Sequence, residues 1–272
     1  MTALYLSDLD GTLLDSHMRV SAYTAAVLRE QIARGLLFSV CTARSPVGWQ
    51  MTNLSDVPFN LPVCLMNGAM LYDSAEHRIV DTAPMAADTA AALLALCEQY
   101  GKHPLAYAVE NGALVARYRE PTGAWERKFV AERRGAFPAM FLPVDAYTPG
   151  ETVYLSTQDT HEKLEPLRAA VDGVPGIAYV YYHDNYHEGN WYLEIFSDKA
   201  GKDNGLRRLK ALTRADRVVA FGDNYNDLAM LKAADEALVV ANGQEPVKAA
   251  AHRVLASNAE DGVAKYLAEI DG

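Results

Sequence analysis

The chain has 272 residues, of which 50% are hydrophobic and 22% are charged, the balance of a folded globular protein rather than of a disordered chain. Its 25 Lys and Arg against 35 Asp and Glu give a formal net charge of −10. This charge disfavours nucleic acid and anionic membrane surfaces as partners, because both bind through excess positive charge.

The first 70 residues alternate short apolar runs with amphipathic stretches. Residues 4–7 and 36–41 are predicted to be buried strands, and Ser21 provides an N-cap for a helix between them. Residues 63–66 are predicted as a further strand that leads into a turn at residues 67–68. Strand, helix and strand at this spacing predict a parallel sheet with right-handed crossovers.

The same alternation returns near the C-terminus. A predicted helix over residues 206–212 precedes a strand at 217–221, and a helix at 228–234 precedes a strand at 237–240. A helix from about residue 245, a strand near Val254 and a last helix from about residue 260 complete the pattern. The two ends are therefore predicted to form one doubly wound, mostly parallel α/β sheet.

The middle of the chain has a different pattern. A helix is predicted over residues 86–100, a β-hairpin turns at residues 111–112, and a second hairpin joins residues 177–182 to 191–196. We predict an α+β domain inserted into the α/β domain. The predicted bounds are 1–83 and 193–272 for the core and 84–192 for the insertion.

Targeting and redox features are weak. No apolar run approaches the roughly 20 residues of a membrane span, and no signal-peptide pattern precedes the first strand, so we expect a cytoplasmic protein. Cys41, Cys64 and Cys97 lie far apart in apolar stretches and are expected to be buried, reduced thiols.

Three polar motifs follow predicted strands at their carboxyl ends. D-L-D-G-T at residues 8–12 follows the first strand, T-A-R at 42–44 follows the second, and G-D-N-Y-N-D at 222–227 ends the strand that starts at residue 217. Each motif alone is compatible with an ordinary turn or a helix N-cap. Because the carboxyl ends of parallel strands share one edge of the sheet, where ligands bind, their joint occurrence predicts a site there.

The acidic residues of these motifs point to a cation. Asp8 and Asp10 stand at i and i+2, so on an extended segment their side chains are expected to lean the same way. With Asp223 and Asp227 they form a cluster that is costly unless a cation binds or one carboxyl keeps its proton. An all-oxygen site with room for water suits Mg²⁺, which commonly shares its ligand shell with a phosphate.

A phosphate beside several carboxylates needs a further positive group. Lys199 and Lys202 open the predicted helix after the insertion, although either could be a solvated surface lysine.

Together these segments resemble motifs one to four of the haloacid dehalogenase superfamily. L-M-N-G-A-M-L-Y-D at residues 65–73 and the segment at 247–264 are similar to the Cof-type phosphatases, a subgroup with a large α/β cap between motifs two and three. The resemblance covers essentially the whole chain, strongly at both ends and weakly across the cap. It implies a phosphoric monoester hydrolase.

The resemblance implies catalytic roles for four residues. Asp8 would be the nucleophile that becomes an aspartyl-phosphate, and Asp10 would be the general acid and base, with its backbone carbonyl on the metal. Thr42 would hydrogen-bond the phosphate. Lys202 would neutralise the phosphate. It is assigned this role rather than Lys199 because it lies eight residues after Glu194, as the third-motif lysine does in the subgroup.

The resemblance also implies binding residues. The Mg²⁺ set comprises Asp8, Asp10, Asp223 and Asp227, and phosphate contacts beyond Thr42 and Lys202 would come from Ala43 and Asn226.

Three positions depart from the subgroup's pattern. Ala43 and Asp203 each stand where the subgroup usually has glycine, and Gly243 stands where it tends to have alanine. None of them removes a catalytic group.

The leading hypothesis is a Mg²⁺-dependent phosphatase of a small phosphorylated metabolite, with a sugar phosphate as the first guess. The alternatives are a phosphomutase, a dedicated sucrose- or trehalose-phosphate type of phosphatase, and a non-catalytic phosphate-binding protein. The sequence does not indicate the oligomeric state.

Specificity is expected to lie in the cap. Residues 183–191 are predicted to be a hairpin tip in which Tyr186, His187 and Trp191 contact the leaving group of the substrate. The competing interpretation is a solvated loop with Trp191 packed into the cap.

Overall fold

A computed structural model of the chain describes residues 2–54, 56–148, 151–184 and 187–270. The chain divides into two units. The first consists of Met1–Asp81 and Ala200–Gly272, and the second consists of Thr82–Lys199.

The first unit is built on a five-stranded sheet whose strands all run parallel, in the order β14-β13-β12-β1-β2. The predicted parallel α/β architecture is therefore confirmed. The strands of this sheet are β1 (Ala3–Ser7), β2 (Leu37–Val40), β12 (Arg217–Gly222), β13 (Glu236–Val240) and β14 (Arg253–Leu255).

Helices connect these strands. Leu4 and Leu6 of β1 pack in one core with Leu206 and Leu209 of α6, whereas Phe221 of β12 contacts the ring of Tyr266 in α9. Alternate strand residues thus meet different helices, as expected for a doubly wound sheet. The helices are α1 (Ala22–Ala33), α2 (Pro46–Gln50), α6 (Lys202–Thr213), α7 (Leu228–Ala233), α8 (Glu245–Lys248) and α9 (Gly262–Ala268).

The predicted strand at residues 63–66 lies outside the parallel sheet. It forms β3 (Val63–Leu65), which pairs antiparallel with β4 (Met70–Asp73) in a small sheet completed by β5 (Arg78–Thr82). A parallel β-bridge between the backbones of Cys41 and Cys64 links this strand to the end of β2. The strand and the turn at residues 67–68 are as the sequence predicts, but the strand does not join the parallel sheet.

The second unit contains a six-stranded sheet in the order β10-β11-β9-β6-β7-β8, in which the β7–β8 pair is parallel. Helices α3 (Ala87–Gln99) and α5 (His161–Val171) contribute Leu93 and Leu167 to its hydrophobic core. An α+β insertion is what the sequence predicts. The strands are β6 (Leu105–Glu110), β7 (Ala113–Tyr118), β8 (Phe141–Pro143), β9 (Thr152–Asp159), β10 (Ile177–His183) and β11 (Trp191–Ser197).

One helix of this unit, α4 (Ala124–Ala136), was not predicted. Only Glu126 and Val130 of its residues are buried, and its N-cap, Gly123, makes no capping bond through a side chain. The polar N-cap is therefore missing, and Trp125, Phe129 and Val130 form only a short apolar face in an otherwise charged segment, so the sequence signals for this helix are weak.

Cys41, Cys64 and Cys97 are buried and carry free thiols, and Sγ of Cys41 lies 3.1 Å from Sγ of Cys64. Among the described residues, no helix combines the length and the apolar character that crossing a lipid bilayer requires.

Candidate active site

The three polar motifs meet at one edge of the parallel sheet, as predicted. Asp8 follows β1, Thr42 lies two residues beyond β2, and Asp223 follows β12. Strands β12, β1 and β2 are neighbours in the sheet, and the amide of Asp8 donates to the carbonyl of Phe221 at 2.9 Å. The sheet order therefore brings residues from both ends of the sequence together.

Three carboxylates cluster at this edge. One oxygen each from Asp8, Asp223 and Asp227 lies within 4.8 Å of the others, and all three residues are buried. In the described part of the chain this is the one group of its kind. Such a cluster is unfavourable unless positive charge lies nearby.

Lys202 supplies part of that charge. Its Nζ donates to Oδ1 of Asp8 and to Oδ1 of Asp227, both at 2.6 Å, from a side chain that is 1% exposed. It is the first residue of α6, and the amide of the preceding Gly201 donates to the carbonyl of Asn67. Lys199, the other candidate, is exposed and belongs to the second unit.

The buried charges perturb one another. Burial raises the pKa of Asp8 well above its usual value, the charge of Asp227 raises it further, and Lys202 opposes both. Burial lowers the pKa of Lys202, but the carboxylates of Asp227 and Asp8 outweigh that effect and leave the pKa above its usual value. One ammonium therefore offsets only part of the negative charge that the three carboxylates carry when all are ionised.

Asp227 has both carboxylate oxygens in use. Oδ1 accepts from Lys202, and Oδ2 accepts from the backbone amides of Asp223 and Asn224 at 2.9 and 3.0 Å. It thereby fixes the start of the loop that carries Asp223, which is a supporting role.

Thr12, a residue of the first motif, fixes the side chain of Asp223 by a hydrogen bond. Oδ1 of Asp223 accepts from the hydroxyl of Thr12 at 2.7 Å. Burial and the charge of Asp227 raise the pKa of Asp223 to about 6. Gly11 leaves space for this carboxylate, because a Cβ on its left-handed backbone, with φ +87°, would lie 2.5 Å from Oδ2 of Asp223.

The side chain of Asp10 does not join the cluster. Its two oxygens accept from Nε and Nη2 of Arg44 at 2.7 and 2.6 Å. The expectation that Asp8 and Asp10 lean the same way assumed an extended segment, but β1 ends at Ser7. The chain then turns, with the amides of Thr12, Leu13 and Leu14 all donating to the carbonyl of Leu9.

The predicted phosphate-binding residues lie in the same loops. Thr42 is buried; its hydroxyl accepts from the amide of Arg44 at 3.2 Å, and its carbonyl accepts from the amide of Asn67. Ala43 and Asn226 are half-buried in the second and fourth motifs. Their contacts with phosphate stay predictions.

One of the departures from the subgroup, Asp203, has a local explanation. Asp203 pairs with Arg207 one turn along α6, at 2.6 Å, so its charge has a partner. Asn242, next to Gly243, donates from Nδ2 to the carbonyl of Gly11 at 2.7 Å and accepts from the amide of Asn258.

Sequence reasoning missed three residues that hold this site together: Thr12, Arg44 and Asn242. Thr12 and Arg44 do belong to the motifs that were singled out. Their partners, however, come from loops that are distant in the sequence, and no local pattern identifies them.

The predicted specificity residues lie in the second unit. Nδ1 of His187 lies 2.9 Å from Oδ2 of Asp184, and its ring lies 5.2 Å from that of Trp125. The centre of the Trp191 ring lies 4.8 Å from that of His161 and 4.9 Å from that of Tyr181, as expected if Trp191 packs into the cap.

Tyr186 lies outside the described residues. A role for Tyr186, His187 and Trp191 in choosing the leaving group stays a prediction.

The donors fit a hard divalent cation. One oxygen of Asp8 accepts a hydrogen bond from Lys202 and one oxygen of Asp223 accepts from Thr12, and the acidic cluster offers one oxygen per residue to a cation. Carboxylate oxygens without nitrogen or sulfur suit Mg²⁺, and a divalent ion would balance the excess negative charge.

Comparisons with known proteins identify the family of the chain. The sequence profile of the haloacid dehalogenase-like hydrolases matches residues 5–267. The chain is 25% identical to the pyridoxal phosphate phosphatase YbhA of Escherichia coli K12, over 98% of this chain and 97% of that protein. It is 26% identical to the 5-amino-6-(5-phospho-D-ribitylamino)uracil phosphatase YitU of Bacillus subtilis, over 96% and 95% of the two chains.

Solved structures share the fold. A haloacid dehalogenase-like hydrolase from Bacillus subtilis superimposes with a TM-score of 0.77 at 22% identity and covers 100% of both chains. A sugar phosphatase of subclass IIB of the superfamily superimposes with a TM-score of 0.74 at 20% identity, over 98% of both chains.

Proposed function

The chain belongs to the haloacid dehalogenase-like hydrolases as a Cof-type phosphatase, and we propose that it uses Mg²⁺ and an aspartyl-phosphate on Asp8 to hydrolyse phosphate monoesters of small metabolites. The observation that carries this proposal is the contact of the Asp8 carboxylate with Lys202, inside a buried cluster of acidic residues. A carboxylate nucleophile divides a difficult hydrolysis into two easier steps.

In the first step, an oxygen of Asp8 forms a bond to phosphorus while the bond from phosphorus to the leaving oxygen breaks. The carboxyl of Asp10 gives its proton to that leaving oxygen. In the second step, water attacks phosphorus, the bond to Asp8 breaks, and Asp10 takes the proton that the water loses. The protein is regenerated, and an alcohol and phosphate are released.

The remaining residues stabilise charge on the phosphoryl group. The Thr42 hydroxyl, the Asn226 side chain and the loop backbone at Ala43 are proposed to contact its oxygens, with Lys202 as the positive partner. Positioning and electrostatic stabilisation supply most of the catalysis in phosphoryl transfer. The buried position of Lys202 strengthens its attraction for a phosphate, because water does not screen it.

A bound Mg²⁺ supplies neutralisation of the phosphoryl charge and orientation of the phosphate. Asp8, Asp223 and the backbone carbonyl of Asp10 are proposed to hold it. Asp227 acts through Asp223, because its own oxygens accept from Lys202 and from backbone amides.

The substrate is proposed to be a small phosphorylated metabolite, and a sugar phosphate is the first candidate. The two named relatives act on pyridoxal phosphate and on a phospho-ribitylamino-uracil, which supports this class. The cap, including residues near His187, is proposed to choose the leaving group.

The test is a screen of purified protein with Mg²⁺ against sugar phosphates, pyridoxal phosphate, 5-amino-6-(5-phospho-D-ribitylamino)uracil and p-nitrophenyl phosphate. We expect release of inorganic phosphate from at least one of them and none from the Asp8→Asn variant. Accumulation of an isomeric phosphate without free phosphate would indicate a mutase. Activity that survives in the variant would contradict the role of Asp8.

A further inference from the structure

Arg44 binds Asp10 with the geometry of a fixed pair. Nε and Nη2 donate to the two oxygens of the carboxylate at 2.7 and 2.6 Å. The side chains are 14% and 29% exposed, so the guanidinium is largely buried while the carboxylate keeps access to solvent. A planar guanidinium that makes two parallel bonds sets both the position and the orientation of a carboxylate.

Arg44 is itself held at several points. Its Nη1 donates to the carbonyl of Gly48 at 3.0 Å, its amide donates to the hydroxyl of Thr42, and its carbonyl accepts from the amide of Met66. Backbone and side chain are therefore both fixed. These hydrogen bonds fix the position of the guanidinium relative to the loop that carries Thr42.

This pairing separates two carboxylates that are adjacent in the motif. The cluster with oxygens within 4.8 Å contains Asp8, Asp223 and Asp227, and it does not contain Asp10. Arg44 holds the Asp10 side chain apart from the acidic cluster.

We propose that Arg44 is the positioning residue of the general acid and base: it reserves the Asp10 carboxyl for proton transfer and excludes it from the metal ligand set. This inference rests on the proposed phosphatase mechanism. When Asp10 is protonated, we propose that the forked pair opens to a single hydrogen bond from Arg44 to the unprotonated oxygen. The second oxygen of Asp10 can then exchange a proton with the leaving oxygen and later with water.

The proposal predicts a dependence on the leaving group. An alkoxide needs a proton as it leaves, whereas p-nitrophenolate leaves without one. A well-placed general acid contributes about 10²–10⁴-fold to a rate. Misplacing Asp10 should therefore slow phosphorylation of Asp8 by an alkyl phosphate and spare phosphorylation by p-nitrophenyl phosphate.

The experiment measures the single-turnover rate of Asp8 phosphorylation in the full-length protein. Substrates are p-nitrophenyl phosphate and the best alkyl phosphate of the screen; the variants are Arg44→Lys and Arg44→Gln. We expect a loss of about 100-fold on the alkyl phosphate and a loss of less than about threefold on the aryl phosphate. Equal losses on both substrates, or no loss on either, would overturn the proposal.

A matched control and a double variant complete the test. Arg168→Lys changes another arginine that makes forked bonds, to Glu165 of the second unit, and should leave both rates unchanged. In an Asp10→Asn background, Arg44→Lys should cause no further loss on the alkyl phosphate, because both changes remove the same function. Additive losses would show that Arg44 does not act through Asp10.

The inference can fail independently of the proposed function. If Asp10→Asn selectively slows the alkyl phosphate and Arg44→Lys and Arg44→Gln do not, the mechanism stands and the positioning role is wrong. If Asp8→Asn keeps full activity, the mechanism itself is wrong.

Discussion

The Nζ atom of Lys202 lies 2.6 Å from Oδ1 of Asp8, although 194 positions separate the two residues in the sequence. The entire second unit lies between them in the chain, and Lys202 is the first helical residue after it. The proposed nucleophile therefore pairs with an ammonium group from the other end of the chain. The same ammonium binds Asp227, so it links the first motif to the fourth.

The acidic cluster should make activity depend on Mg²⁺. We expect EDTA to abolish turnover and added Mg²⁺ to restore it. Asp223→Ala should weaken the response to Mg²⁺ more than Asp227→Ala, because the Asp227 oxygens are bound to Lys202 and to backbone amides. Asp227→Ala should lower the melting temperature more, since it leaves a buried ammonium with one carboxylate partner fewer.

Titrations with Mg²⁺ and thermal denaturation of both variants measure these two effects separately. Full activity after exhaustive chelation would contradict the metal assignment.

Burial of Asp223 should make the metal-free protein more stable at mildly acidic pH. The pKa of Asp223 is raised to about 6 from 3.8, so the folded chain takes up its proton before the unfolded chain does. Above pH 6, the ionised Asp223 therefore lowers the free energy of unfolding by its full amount. This destabilisation shrinks as the pH falls from 6 towards 3.8. Asp223→Asn should raise the melting temperature in EDTA at pH 7.5, and the gain should shrink at pH 5.

Asp235 is a control of opposite sign. A hydrogen bond from the amide of Val218 and another from Lys210 lower its pKa, so its ionised form stabilises the fold. Asp235→Asn should lower the melting temperature at pH 7.5. A gain from Asp223→Asn that is independent of pH would refute the assigned cause.

The turn before β4 should tolerate no side chain at Gly68. Its φ is +88°, and a Cβ there would lie 2.1 Å from the carbonyl oxygen of Gly201, directly before Lys202. Gly112 is a matched position, with φ +78° and no atom within 4 Å of the added carbon. Both Ala variants bear the left-handed strain of about 1–2 kcal/mol.

Gly68→Ala should lose a further 1–3 kcal/mol or so of unfolding free energy from overpacking, and turnover should fall with it. Urea denaturation and activity assays compare the two variants. Equal effects at the two glycines would mean that the contact with Gly201 is unimportant.

Variants of Trp191 and His187 should distinguish a role in packing from a role in substrate specificity. Trp191→Ala should lower stability, because its ring contacts His161 and Tyr181. If the hairpin tip selects the leaving group, His187→Ala should change kcat/KM unevenly across the phosphate panel and leave p-nitrophenyl phosphate nearly unaffected. A uniform change, or none, would favour a purely structural role.

Much of the fold could be predicted because local signals agree with it. Ser21 caps α1 through its side chain, and the helix predicted from it is present. Likewise, Asn111 and Gly112 adopt the left-handed conformation that an Asn-Gly hairpin turn requires. Helix α4 lacks such signals because most of its residues face solvent, so it is stabilised by the tertiary structure rather than by a local pattern.

The site could be predicted as a set of residues but not as a geometry. Because parallel strands share an edge, the strand ends predicted that Asp8, Asp223 and Asp227 would meet, but they also placed the Asp10 side chain in that cluster, which is wrong. They could not tell that Arg44 would bind Asp10, because that pairing depends on the turn after β1 and on the path of the loop after β2.

The most direct test of the account is to trap the phosphorylated protein. Full-length protein is mixed with a ³²P-labelled substrate from the screen and Mg²⁺, quenched in acid within milliseconds and digested. We predict acid-stable label on the peptide that contains Asp8, and none in Asp8→Asn. Label on any other residue, or turnover that persists in Asp8→Asn, would contradict this prediction.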